Sequence, residues 1–212
     1  MENLSQEIAK TLLEINAVCL SPEEPFTWTS GLRTPIYCDN RLIMSHPQAR
    51  KVVEAGFVQV IKERFAEVDV VAGTATAGIP HAAFIAQLLD LPMIYVRSSA
   101  KEHGRQNQIE GQLIPGQRVL MVEDLISTGK SVIHAAHAVQ EAHGKVIGCV
   151  AVFNYLLQSG KDAFAQEDFP LVTLTNYTEL VKLAVQRPEL AAYEDKLTQW
   201  YLDPIAWSQA HA

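Results

Sequence analysis

Cysteine is scarce in this chain, and the little there is makes no pattern. Cys19, Cys38 and Cys149 are scattered, odd in number and form no CxxC pair. That argues against a disulfide scaffold and against a metal site of ordinary spacing. Buried free thiols in a reducing compartment are expected instead. Long apolar runs are missing too: none approaches the roughly 18 residues that a membrane span needs. The opening residues, MENLSQEIAK, are acidic and polar, unlike a secretory leader. A cytoplasmic protein without a membrane partner is therefore expected. Positive charge is in deficit, with 17 Lys and Arg against 24 Asp and Glu, a net charge of −7. A broad nucleic-acid footprint is disfavoured, so any polyanionic ligand must be met by a local cluster of cations. No internal repeat, low-complexity tract or linker is visible. What remains is 212 residues, 48% hydrophobic and 19% charged. One domain with a substantial core is expected.

The chain is organised around VLMVEDLISTGKS, residues 119 to 131. Val119 to Val122 read as a buried strand. Two carboxylates follow, Glu123 and Asp124, then a turn of Ser127, Thr128, Gly129, Lys130 and Ser131. Beyond it Val132, Ala135, Ala136, Val139 and Ala142 fall at helical spacing. A small-residue turn between strand and helix can aim several backbone N–H groups at one anion. The helix N-terminus adds about half a positive charge. Gly129, lacking a Cβ, lets the backbone come close. The two carboxylates do not suit a bare phosphate site. They suit a ligand that also carries hydroxyls or a hydrated Mg²⁺, as a phosphorylated sugar does. A nucleotide-triphosphatase loop fits poorly, because Asp124 stands where its first glycine belongs. An ordinary capped strand-to-helix turn explains Thr128 but not the acidic pair.

In chain order, residues 2 to about 18 predict an amphipathic helix, broken by Pro22 and Pro25. FTWTSGLRTPIYCDNR, residues 26 to 41, reads as a β-hairpin turning at Ser30-Gly31. Trp28 and Tyr37 there flank a flat ligand or fill a strand core; the pattern allows either. A helix is expected over 46 to 65, then a strand over 68 to 72. The GTATAG loop, 73 to 78, and a helix over 79 to 89 follow. That loop is an anion cradle or a turn kept small for packing. Met93 to Val96 predict a strand. Residues 97 to 117 are polar, and hold Arg97, Lys101, His103 and Arg105 within nine residues. A cationic loop of this length on an acidic protein reads as a lid over an anion. Further strands are expected at 146 to 153 and 171 to 174. Helices are expected at 158 to 167, at 177 to 186 capped by Asn176, and at 188 to 202. Strands alternating with helices predict an α/β core with a twisted, mostly parallel sheet. Three successive strands end in polar loops, and in such a sheet ligands bind at the carboxyl ends.

These segments resemble the orotate phosphoribosyltransferases, a branch of the type I phosphoribosyltransferases, along nearly the whole chain. VEDLISTGKS resembles their loop for 5-phospho-α-D-ribosyl 1-diphosphate (PRPP), and VAGTATAGIPHAA their pyrophosphate-side loop. VRSSAKEHGRQNQIEG resembles their mobile catalytic loop, and residues 26 to 41 their orotate-side segment. The resemblance implies the type I fold in a single domain, 1–212. A small N-terminal hood over 1–45 would contain the hairpin and contribute the base pocket. The core and C-terminal helices would occupy 46–212.

It also implies transfer of the phosphoribosyl group from PRPP to orotate in pyrimidine biosynthesis. Mg²⁺ would be carried through PRPP and water, and a homodimer would share its active sites. Arg97, Lys101 and His103 would contact the pyrophosphate end and act in catalysis. Thr76 and Ala77 would add PRPP contacts. Glu123 and Asp124 would hold the ribose hydroxyls. Leu125, Ile126, Ser127, Thr128, Gly129, Lys130 and Ser131 would hold the 5-phosphate. Ser127, Tyr37 and Cys38 would line the orotate side.

Departures from the family pattern are Lys130 in place of a second loop glycine, Ser98 after the loop arginine, and Thr29 before the hairpin turn. Asn154 and Tyr155 stand where some members carry an arginine, and Arg33 is a candidate substitute. A transferase for another base, such as a purine, is the neighbouring expectation. A PRPP sensor that regulates transcription would need a basic DNA-binding module, which this chain lacks.

Overall fold

The computed structural model describes residues 2–99 and 108–211. They form two compact units, Arg50–Leu174 and the paired chain ends Met1–Ala49 with Thr175–Ala212. The C-terminal helices fall in the same unit as the first 49 residues.

The larger unit is built on six strands: β5 (Val70–Thr74), β6 (Met93–Val96), β7 (Ile109–Glu110), β8 (Arg118–Ile126), β9 (Lys145–Asn154) and β10 (Leu171–Asn176). Their order is β10-β9-β8-β5-β6-β7. The pairs β5/β6, β5/β8 and β8/β9 are parallel; β7 returns antiparallel beside β6. Helices α2 (Pro47–Arg64), α3 (Gly78–Leu89), α4 (Lys130–Glu141) and α5 (Gln158–Phe164) follow the expected alternation. Val70, Ala72, Ile94, Val96, Val119 and Met121 form one core with Val132, Ala136 and Val139 of α4. At the amino ends of β5 and β8, Arg118 donates from its main chain, Nε and Nη2 to Asp69, at 2.7 to 2.9 Å. Those hydrogen bonds pull the Asp69 carboxyl down to about 2. The clamp fixes strand register at the edge opposite the polar loops.

Small residues in loop 73–78 serve packing. A Cβ on Gly73 would stand 2.8 Å from the Ile79 Cα, and one on Gly78 would run into the carbonyl oxygen of Val122. Helix α3 thereby starts hard against β5 and β8.

The second unit holds α1 (Glu2–Glu14), β1 (Val18–Leu20), β2 (Phe26–Thr27), β3 (Arg33–Thr34), β4 (Ile36–Cys38) and a 3-10 turn over Asn40–Ser45. It also holds α6 (Tyr177–Ala184), α7 (Pro188–Ala191), α8 (Glu194–Leu202) and α9 (Pro204–Ala210). The hairpin is present: β2 pairs with β3, and Gly31, at φ +84°, carries the turn. β4 pairs instead with β1, through Val18↔Cys38. That pairing corrects the expected helix over 2 to 18. The helix stops at Glu14, Asn16 turns left-handed at φ +54°, and Val18 enters a strand before either proline. Tyr177 packs against Trp200 and Tyr201, and its hydroxyl donates to the Leu197 carbonyl at 3.0 Å. Among the described residues no helix is long and apolar enough to cross a membrane.

Candidate active site at the carboxyl ends of the strands

Because β5, β6 and β8 are parallel neighbours, the segments that leave their carboxyl ends share one edge of the sheet. There they line a cavity of about 240 Å³. Thr74 and Ala75 reach it from β5, Val96, Arg97 and Ser98 from β6, and Lys130, Ser131, His134 and Ala135 from α4. Arg97, Lys130 and Ser131 were expected at a site, and the fold brings them together. Thr76 and Ala77 continue the turn beyond Ala75, through a cis Ala75–Thr76 peptide.

Glu123 and Asp124 were expected after the strand but lie within β8, which runs on to Ile126. The apolar run ends at Val122, yet β9 continues to pair with Glu123 and Leu125. Sequence hydropathy therefore underestimates the strand. Glu123 is 7% exposed, and its Oε1 accepts the Asp124 N–H at 3.0 Å. Burial, with the Asp124 carboxylate beside it, holds the Glu123 carboxyl well above the usual range. Burial, and Glu123 after it, likewise push up the thiol of Cys149, which is inert in the core.

The chain bends at Ser127 and Thr128, between β8 and α4, where a small-residue turn was expected. Gly129 has φ +75° and precedes the first residue of α4, where the leading N–H groups have no partner within the helix. A Cβ at Gly129 would lie 2.7 Å from the Phe164 ring, so glycine is required by shape as well as by conformation. Gly160 lets α5 approach the Ser127 carbonyl, where a Cβ would stand at 2.6 Å. Both contacts hold the turn from outside.

Arg97 is half-buried, and its Nε and Nη2 are buried with no hydrogen-bond acceptor among the described residues. Its main-chain N–H donates to the Gln108 carbonyl at 2.9 Å. The lid segment thus leaves and rejoins the sheet at one place, closed by β7, which the polar sequence of 97 to 117 concealed. Lys101 and His103, expected in a lid, lie outside the described residues.

Tyr37, Cys38 and Arg33 belong to the other unit. Tyr37 is exposed and tilted against Phe26, while the Cys38 thiol donates to Asn40 Oδ1 at 3.3 Å. Trp28 meets Trp200 edge to face, which gives it a packing role. Arg33 Nε is buried without an acceptor among the described residues. Asn154 Oδ1 accepts the Leu156 N–H at 2.7 Å, and Tyr155 is buried against Phe153.

Sequence reasoning took Thr74 only as part of the 73–78 loop, and did not single out His134. The available signal for His134 was its spacing, one helical turn after Lys130. No group of three or more metal-ligating side chains occurs among the described residues. The hard oxygens of Glu123 and Asp124 suit Mg²⁺ held mainly by ligand phosphates and water.

A family profile described as phosphoribosyl transferase domain matches residues 42–190. The chain is 51% identical over 209 residues to the orotate phosphoribosyltransferase of Listeria innocua, covering 98% of this chain and 100% of that one. Among solved structures, the orotate phosphoribosyltransferase of Aeropyrum pernix is similar with a TM-score of 0.71 and 25% identity, over 82% of this chain and 97% of that one. The Mycobacterium tuberculosis H37Rv orotate phosphoribosyltransferase in complex with PRPP is similar with a TM-score of 0.65 and 25% identity, over 84% and 98%.

Proposed function

The chain belongs to the orotate phosphoribosyltransferases, within the phosphoribosyl transferase family, and from that premise we propose that it moves the phosphoribosyl group of PRPP onto orotate. The products are orotidine 5′-phosphate and pyrophosphate, and the step serves pyrimidine biosynthesis. The observation that carries this reading is the convergence of three strand-end loops on one cavity, with Arg97 and Lys130 at its wall. The buried Glu123 beside Asp124 supports recognition of ribose hydroxyls.

In the reaction the orotate ring nitrogen attacks C1 of the ribose. The C1–O bond to the diphosphate breaks, and the diphosphate leaves with the bonding electrons. No nucleophilic side chain is required. What this chain must supply is position and charge stabilisation. Main-chain N–H groups of 125–131 hold the 5-phosphate, and Glu123 with Asp124 hold the hydroxyls. Thr76 and Ala77 steady the diphosphate end. Arg97, Lys101 and His103 meet the charge that develops on the leaving group. Each such charge-assisted contact contributes roughly 1.5–3 kcal/mol in a closed site. Mg²⁺, when bound with the diphosphate, neutralises part of its charge. Ser127 and the main chain of Tyr37 and Cys38 address the pyrimidine. Arg33, whose Nε has no acceptor among the described residues, is the candidate partner of the orotate carboxylate.

The working form is proposed to be a cytoplasmic homodimer whose lid loops serve the neighbouring site. Residues 1–212 are proposed to act as one catalytic domain. Pyrophosphate release from PRPP tests the reading directly. It should require orotate and Mg²⁺, and should be absent with adenine or hypoxanthine. Equal release with a purine base, or none with orotate, overturns it.

A further inference from the structure

The hairpin that the transferase reading gives to orotate is too small to hold its own shape. β2 and β3 pair at Phe26↔Thr34 and Thr27↔Arg33, and a two-stranded ribbon that short is not stable by itself. Downstream it is braced by neighbours. The Ser21 N–H donates to the Pro35 carbonyl at 2.8 Å, and the buried Thr34 hydroxyl donates to the Ile36 carbonyl at 3.1 Å. β4 is registered on β1. At Arg33 the brace comes from the far end of the chain. The Arg33 main-chain N–H donates to Ser208 Oγ at 2.8 Å, across 175 positions of sequence. Ser208 sits on α9, a helix of seven residues whose buried residue is Trp207. The Asp203 carboxylate caps α9 by accepting the Ala206 N–H at 2.9 Å. His211 closes it, with its ring stacked on Trp207 at 3.8 Å between centroids and its Nδ1 2.8 Å from the Trp207 carbonyl. Ile205 in between is exposed. A helix finished at both ends but seated by one side chain fixes position more than it fills a core. The position it fixes is that of Arg33. Arg33 Nε is buried with no acceptor among the described residues, which is costly unless a ligand supplies one. The backbone that carries a side chain limits where its end can point.

We propose that Ser208 is a positioning residue for orotate: by holding the Arg33 main chain, it sets where the Arg33 guanidinium meets the orotate carboxylate. The inference rests on the transferase reading and on Arg33 as the partner of that carboxylate. It gives the C-terminal helix a part in accepting the base and no part in holding PRPP.

Steady-state kinetics of the full-length protein test this, with orotate and PRPP varied in turn. Ser208→Ala should raise the KM for orotate roughly five- to tenfold, while the KM for PRPP and kcat change by less than about twofold. Ser208→Thr, which keeps the hydroxyl, should restore the wild-type value. Arg33→Gln should raise the orotate KM by itself. Because Ser208 acts through Arg33, adding Ser208→Ala to Arg33→Gln should raise it no further. Thermal melting of each variant separates position from stability. An orotate KM unchanged in Ser208→Ala overturns the proposal. So do equal rises in both KM values alongside a lowered melting temperature, or effects of the two substitutions that simply multiply. Each of those results leaves the transferase reading standing. A wild-type protein that releases no pyrophosphate from PRPP with orotate overturns that reading, and this inference with it.

Discussion

Glu123 sets stability against binding. Burial and the adjacent Asp124 carboxylate raise its carboxyl in the folded protein above its unfolded value. The folded state therefore holds a proton that the unfolded state releases first. The stability tied to that proton is complete below the ordinary carboxyl range and is lost as pH rises through the folded value. Glu123→Gln removes the ionisation while keeping an oxygen to accept the Asp124 N–H. Its melting temperature should exceed that of wild type by a few degrees at pH 8, with the gap closing by pH 4. Its KM for PRPP should rise severalfold, because a ribose hydroxyl loses a charged acceptor. A melting curve unchanged at both pH values would show that the buried charge is compensated elsewhere. The acidic pair and Gly129 were legible in the sequence, because carboxylates beside an anion turn are chemically odd. Thr74 and His134 were not, since a threonine ending a strand and a histidine on a helix also read as packing and surface. Their meaning comes from the cavity they share, and only tertiary structure creates it.

At the scale of elements, local signals worked where they had a chemical mark. Asn176 was legible as a cap, and its Oδ1 accepts the Glu179 N–H at 3.1 Å at the start of α6. Asn176→Ala should cost about 1 kcal/mol of stability. A lowered urea midpoint with unchanged slope and unchanged KM values would show it. An equally stable variant would mean that packing of Tyr177 alone sets this helix start. Where no mark existed, elements were misread. Residues 188 to 202 have continuous helical spacing but form α7 and α8, with α7 contributing no buried residue. Glu194 and Asp195, in the first turn of α8, favour a fresh N-terminus there. The Asp203-Pro204 cap of α9 was readable and was overlooked. β7 is two residues long, and its existence depends on pairing with Tyr95 and Val96, not on its own composition.

For the whole molecule, the decisive quantity is where charge is gathered. A chain of net charge −7 must bind a ligand that is itself highly negative. It can do so only through cations concentrated at one rim, and Arg97 and Lys130 meet there. Lys101 and His103 are proposed to add to them from a lid between Arg97 and Gln108, which are hydrogen-bonded to each other. A loop with joined ends is a self-contained device that can serve a site on another subunit as readily as its own. Nothing in composition or periodicity bears on that choice; it came from family resemblance alone. Mixing decides it. Lys101→Ala should be nearly inactive through its lid, and Asp124→Asn through its ribose contacts. Refolded together in equal amounts, they give half heterodimers. If lids serve the neighbouring site, each heterodimer has one site with both defects and one with neither, and about a quarter of wild-type activity returns. If each lid serves its own subunit, every site keeps one defect and nothing returns. The same mixture run on a sizing column should elute as a dimer, and recovery of activity without a dimer would contradict the shared site.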